Sequence, residues 1–120
     1  MYEYKAKLVR VVDGDTVDVM IDCGFSIFKK ERVRLYGINA PESRTRDKEE
    51  KKRGLAATAR LKELIKEGKN EFVLETRIDK KGKYGRLLGT LRNGNIDTQR
   101  SYNEILLDEG HAVEYYGGRK

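Results

Sequence analysis

The chain has 120 residues, 38% hydrophobic and 38% charged, with a net charge of +6 and a sequence pI near 9.4. That length fits one domain over residues 1–120, with a small core under a very polar surface, and leaves little room for a second. One cysteine, Cys23, and one histidine, His111, exclude an internal disulfide, a cysteine-based zinc site and the usual zinc–histidine clusters.

The basic balance favours an anionic partner such as nucleic acid, with a solvated basic surface as the plain alternative. Residues 1–12, MYEYKAKLVRVV, interleave charges with apolar residues and contain no apolar signal-peptide core. No run approaches the roughly 20 apolar residues of a membrane helix. A cytoplasmic monomer with no membrane partner is the expectation.

Ala6 to Val12 is apolar and β-branched, and Val17, Val19 and Ile21 alternate with Asp18, Met20 and Asp22. Both runs predict strands, joined by a tight turn at Asp13-Gly14-Asp15. Cys23-Gly24 marks a second turn. A third strand follows, with Val33 and Leu35 on one face and Arg32, Arg34 and Tyr36 on the other; Pro41 ends it. Ser43 to Arg53 holds six basic and three acidic residues and no apolar side chain, which predicts an exposed, mobile loop.

From Gly54 to Gly68 the period changes. Ala57, Thr58, Leu61, Leu64 and Ile65 form one helical stripe, and Gly68 suits its C-terminal cap. Phe72, Leu74 and Thr76 alternate in a fourth strand, and Leu87, Gly89 and Leu91 in a fifth, with the basic loop Arg77 to Arg86 between them. Asn93-Gly94 predicts a hairpin turn. Ser101-x-x-Glu104 is a capping box opening a short helix, with Tyr102, Ile105 and Leu106 inward and Gly110 at its end. Ala112 to Tyr116 is the last apolar piece. Five short strands with a helix after the third predict an α+β chain dominated by β-structure, a five-stranded OB-fold Greek-key barrel with two short helices.

Three clusters carry candidate chemistry. Two carboxylates in Val12-Asp13-Gly14-Asp15-Thr16-Val17 form a hard-oxygen site suited to calcium or magnesium, although Asp-Gly alone is also a common turn. Arg34-Leu35-Tyr36-Gly37-Ile38-Asn39-Ala40-Pro41-Glu42 taken alone is a strand ending at a proline turn. Lys83-Tyr84-Gly85-Arg86 taken alone is a solvated basic turn.

In this order, VDGDTV, VRLYGINAPE and KYGRLLG together resemble the thermonuclease (staphylococcal nuclease-like) family, over about Tyr4 to Tyr116. The resemblance implies a calcium-dependent nuclease of DNA or RNA with low sequence specificity. Asp15 matches a calcium-binding aspartate, and Ala40 stands where a backbone carbonyl serves calcium. Arg34 and Arg86 match two arginines that contact the scissile phosphate, and Glu42 matches the catalytic glutamate. Lys83, Tyr84 and, by a looser match, Tyr116 correspond to substrate-binding residues. Asn39 departs from the pattern, standing where the family usually has a second calcium-binding aspartate. Asp15 is then the one matched carboxylate ligand, with Asp13 and Glu42 nearby, and weakened calcium affinity is the implied consequence.

Phosphodiester hydrolysis needs cations aimed at the phosphate oxygens and a positioned water. Guanidinium forks, a hard cation and a carboxylate supply those parts. No pattern here reads bases, and tyrosines can stack on unstacked ones, so single-stranded or breathing substrate is expected. His111 is expected at the surface or in a strand rather than in catalysis. The rival reading is an OB-fold nucleic-acid-binding module without cleavage.

Overall fold

The period-2 alternation across residues 16–22 and 28–35 builds the centre of the barrel, because one face of each strand must be buried. The computed structural model describes residues 2–79, 86–94 and 100–116, apart from the side chains of residues 78, 79 and 86. Its elements are β1 (Tyr2–Asp13), β2 (Thr16–Asp22), β3 (Phe28–Leu35), β4 (Ile38–Asn39), α1 (Lys48–Glu67), β5 (Glu71–Asp79), β6 (Arg86–Arg92), α2 (Tyr102–Asp108) and β7 (Val113–Glu114). Five strands close a barrel in the order β1-β2-β3-β6-β5, and β4 and β7 form a separate two-stranded sheet. This is the expected OB-type α+β architecture. It is a mixed barrel, because β3 and β6 run parallel over Val33↔Leu87 to Leu35↔Gly89.

Long β1 serves two neighbours. Residues 2–7 pair with β5, and Ala6 to Asp13 pair with β2, with register shifts between Leu8 and Arg10 and between Val11 and Asp13. Such bulges bend a strand enough to turn a barrel corner. Val17, Val19, Val33, Leu35, Leu74 and Leu91 fill the interior at 0–1% exposure, and Leu61 and Ile65 of α1 and Leu106 of α2 cover it. Gly89 sits where strands converge: a Cβ there would come within 2.5 Å of Leu74 Cδ1 and 2.7 Å of Val33 Cγ1.

Two expectations change, both at α1. α1 is 20 residues, about 30 Å long, and so is not short. It opens at Lys48, inside the stretch expected to be loop. Asp47 caps it by accepting from the N–H groups of Glu49 and Glu50, and both glutamates favour the positive end of the helix dipole. Lys48 to Arg53 are all charged, so they show no apolar stripe, and periodicity alone could not find them. The hairpin expected at Asn93-Gly94 runs into residues 95–99, which lie outside the described residues.

At α2, Ser101 Oγ accepts from Glu104 N at 3.1 Å and donates to Glu104 Oε1 at 3.3 Å. The capping pair is therefore present, with the glutamate returning to the serine hydroxyl. No described helix is long and apolar enough to cross a membrane.

Candidate functional site

The hairpin between β1 and β2, the end of β3 and the β4 segment meet at one end of the barrel. The register places Thr16, the first residue of β2, opposite Arg34 near the end of β3. Asp15 in the turn is therefore brought to the place where β3 finishes. The backbone oxygen of Asp15 accepts from Leu35 N at 2.8 Å, which fixes the turn to β3. Gly37, with φ of 80°, turns the chain back in the left-handed region that glycine adopts without strain. Asn39 and Ala40 then lie beside Asp15 and Arg34.

The resulting cluster is closely bonded. Asp15 is 9% exposed; its Oδ2 accepts from Ala40 N at 2.9 Å and its Oδ1 from the Thr16 hydroxyl at 3.0 Å. Arg34 Nη2 donates to Asn39 Oδ1 at 3.1 Å and to the Ile38 carbonyl at 3.3 Å, and lies 3.9 Å from Asp15 Oδ2. The Arg34 guanidinium stands 5.0 Å from the centre of the Tyr115 ring, within cation–π range. β7 brings Tyr115 there by pairing Ile38↔Glu114 and Asn39↔Val113, and Tyr115 N donates to Gly37 O at 2.9 Å. Three stretches distant in sequence, at Asp15, at Arg34 to Asn39 and at Tyr115, thus hold one guanidinium against a carboxylate, an amide oxygen and a ring.

Asp13 lies behind this group. Its Oδ1 accepts a short hydrogen bond from the hydroxyl of buried Ser43, which anchors the chain just past Glu42. Glu42 is exposed and lines an open cleft of about 670 Å³, together with Asn39, Glu50, Arg53, Glu109 and His111. Glu109 is held by Arg60 of α1 through Nε at 2.6 Å and Nη2 at 2.9 Å, an arrangement that keeps its carboxyl below the usual carboxylate range. That ion pair ties the end of α2 to α1 and fixes the cleft wall. His111, half-buried and 3.9 Å from Glu109 Oε1, is part of this wall, not of a strand.

The helix seats the site through small residues. A Cβ on Gly54 would come within 2.4 Å of the Glu42 carbonyl oxygen, and one on Gly14 within 2.7 Å of Ala57 Cβ and 3.0 Å of Ala40 Cβ. The helix therefore meets the Glu42 loop backbone to backbone, and the turn meets the Ala57 and Ala40 methyls. Gly54 and Ala57 stood in the predicted helix, but only the tertiary contact shows why they are small.

Other expected site residues lie elsewhere. Tyr116 is 66% exposed and packs edge-on against Tyr36 with centroids 5.6 Å apart; its neighbour Tyr115 is the ring beneath Arg34. Lys83 and Tyr84 lie outside the described residues, as does the side chain of Arg86. The main chain of Arg86 opens β6, two residues before Leu88, the parallel partner of Arg34.

The donor set beside Arg34 is the Asp15 carboxylate, the Asn39 amide oxygen and the backbone carbonyl of Ile38, while Ala40, expected to offer its carbonyl, is placed here through its N–H, which donates to Asp15. These hard oxygens suit calcium or magnesium and do not suit zinc. Among the described residues no three histidine, cysteine, aspartate or glutamate side chains converge, so a cation here would depend on the amide and the carbonyl.

A family model described as staphylococcal nuclease homologue matches residues 32–120. The chain is 34% identical over 124 residues to "Micrococcal nuclease" of Shigella flexneri, covering 96% of this chain and 62% of that protein. It is 34% identical over 109 residues to "Endonuclease YncB" of Bacillus subtilis, covering 91% and 47%. It is 33% identical over 118 residues to "Protein ParB" of Escherichia coli, covering 94% and 58%. The chain thus spans about half to three-fifths of the length of these relatives.

Proposed function

The chain belongs to the family of staphylococcal nuclease homologues, and on that premise we propose that it is a calcium-dependent nuclease hydrolysing phosphodiester bonds of DNA or RNA with low sequence specificity. The observation that carries this reading is the placement of the Arg34 guanidinium against Asp15 and Asn39, with Glu42 on the adjoining cleft.

Asp15, Asn39 and the Ala40 carbonyl would hold calcium, whose charge offsets the negative charge gathering on the phosphate oxygens. Arg34 offers a planar fork that binds two of those oxygens, and Tyr115 beneath it limits how the fork can swing. Arg86 supplies a second fork from the start of β6. Glu42 positions the attacking water and accepts its proton as the water oxygen bonds to phosphorus and the leaving oxygen departs. Lys83, Tyr84 and Tyr116 hold the flanking nucleotide. Each guanidinium, and Glu42, supplies on the order of 3 kcal/mol of transition-state stabilisation.

The neutral amide of Asn39 leaves the site one charge short, so calcium binds more weakly than to a pair of carboxylates. The same feature favours a second reading, a binding module that no longer cuts: Arg34 already occupies the amide oxygen a cation would need. A degradation assay on DNA and RNA, with calcium and with chelator, separates the two. The enzyme reading expects cleavage that calcium supports and chelator abolishes. Tight binding of single strands without cleavage at any calcium concentration favours the module.

A further inference from the structure

We propose that a single strand leaving the Arg34 site runs along the outer face of β3 and seats a base in a groove at the far end of the barrel, beside Phe28. This rests on the reading of the chain as a binder of single-stranded nucleic acid.

Val33 and Leu35 point into the barrel, so Phe28, Lys30, Arg32 and Arg34 share its outer face, spaced about 7 Å apart. Phe28 lies about 20 Å from Arg34 along the strand. Beside β3 on the same face, buried Asp18 is paired with two arginines, Arg32 at 2.9 Å and Arg10 at 3.3 Å. Two guanidiniums on one carboxylate leave a net positive charge, and both arginines remain more than half exposed. Lys30 makes no ion pair among the described residues. The face is a cationic row that begins at the candidate catalytic arginine.

The row ends at a hollow. A groove of about 330 Å³ has an apolar floor that includes Met20, Phe28 and Val73, and a charge-balanced rim of Lys5 and Lys7 with Asp22 and Glu71, Lys7 lying 3.6 Å from Glu71. Phe28 is 58% exposed and Phe25, at the tip of the β2–β3 hairpin, 99% exposed. Phe25 and Ser26 both hold left-handed backbone, with φ of 55° and 61°, a conformation non-glycine residues adopt at a cost. Bare aromatic rings at the end of a phosphate-spaced cationic row match a base with its backbone. Duplex bases are already stacked and cannot use them. A second copy of the chain fits poorly, because a two-fold contact would set these like-charged rows against each other.

The test measures anisotropy of labelled oligothymidylates of three and twelve nucleotides, in chelator so that nothing is cut. Phe28→Ala and Lys30→Ala alter exposed side chains, and thermal melting verifies that each variant folds. Phe28→Ala is expected to lower the twelve-mer to three-mer affinity ratio by about tenfold. Lys30→Ala is expected to reduce the salt slope of twelve-mer binding by about 0.7. Lys62→Ala, on the exposed side of α1, is the control expected to keep both values. An unchanged ratio and slope in both variants, with the wild type binding, overturns the track and leaves the functional reading standing. No binding of either oligonucleotide by the wild type also overturns the track, and the functional reading then falls only if the calcium-supplemented degradation assay shows no cleavage. Loss of self-association in place of loss of affinity assigns the face to a second copy and also overturns the proposal.

Discussion

Replacing Gly54 by alanine tests how the helix positions the cleft. The new methyl would meet the Glu42 carbonyl oxygen at 2.4 Å, the Glu42 carbonyl carbon at 2.5 Å and the Pro41 oxygen at 2.7 Å. Ordinary contacts need about 3.5 Å, so helix and loop must separate by about 1 Å. The obstacle is backbone on both sides, and no side chain can rotate away. Overpacking of this kind costs about 1–3 kcal/mol, offset by about 1 kcal/mol from the better helix propensity of alanine. The net loss of stability is therefore modest, about 0–2 kcal/mol. The effect on rate is larger, because displacing a reacting group by about 1 Å costs on the order of 100-fold. Single-turnover cleavage and thermal unfolding of Gly54→Ala, beside Leu55→Ala at the neighbouring exposed position, separate the two effects. A wild-type rate in Gly54→Ala would refute the idea that the helix sets the position of Glu42.

Asn39→Asp adds the missing charge and is expected to tighten calcium binding roughly tenfold by calorimetric titration; unchanged or weaker affinity would mean that Asn39 is not a ligand. Tyr102 is 3% exposed and its hydroxyl has no hydrogen-bond partner among the described residues. Burial pushes its pKa up to about 12. Tyr102→Phe should therefore stabilise the fold by about 1 kcal/mol in urea titrations, and a loss of stability would contradict this. The hydrogen bond from Arg32 holds Asp18 below its ordinary 3.8 despite burial. The folded state thus favours the carboxylate, and this stability is complete above the unfolded pKa and lost as pH falls through the depressed folded value. The stability gap between wild type and Asp18→Asn should accordingly shrink between about pH 6 and about pH 3, whereas a constant gap would remove the role given to the pair.

Much of the barrel was legible because its strands are half-buried. Val17, Val19 and Ile21, then Val33 and Leu35, and later Phe72, Leu74 and Leu91 show the period that a one-sided core demands. The first turns of α1 were hidden for the opposite reason: Lys48 to Arg53 are all charged and carry no apolar stripe, so only the Asp47 cap and two early glutamates mark them. β4 and β7 are two residues each, too short to carry a pattern. The candidate site residues stood out as motifs, while their mutual contacts did not. Spacing could not reveal that Arg34 takes the Asn39 oxygen, that Tyr115 lies under the guanidinium, or that Ser43 holds Asp13. Such contacts depend on how the first turn, the stretch from Arg34 to Ser43 and Tyr115 meet.

Whether Glu42 and the cluster around Arg34 cut phosphodiesters with the help of calcium is decided by comparing wild type and Glu42→Gln on one end-labelled single strand, at saturating protein and calcium. Binding and cleavage are followed in the same samples. The expected result is similar affinity for the two proteins, with the cleavage rate of Glu42→Gln reduced by on the order of 100-fold or more. Equal rates in the two proteins, or no cleavage by a wild type that binds the strand, would contradict it.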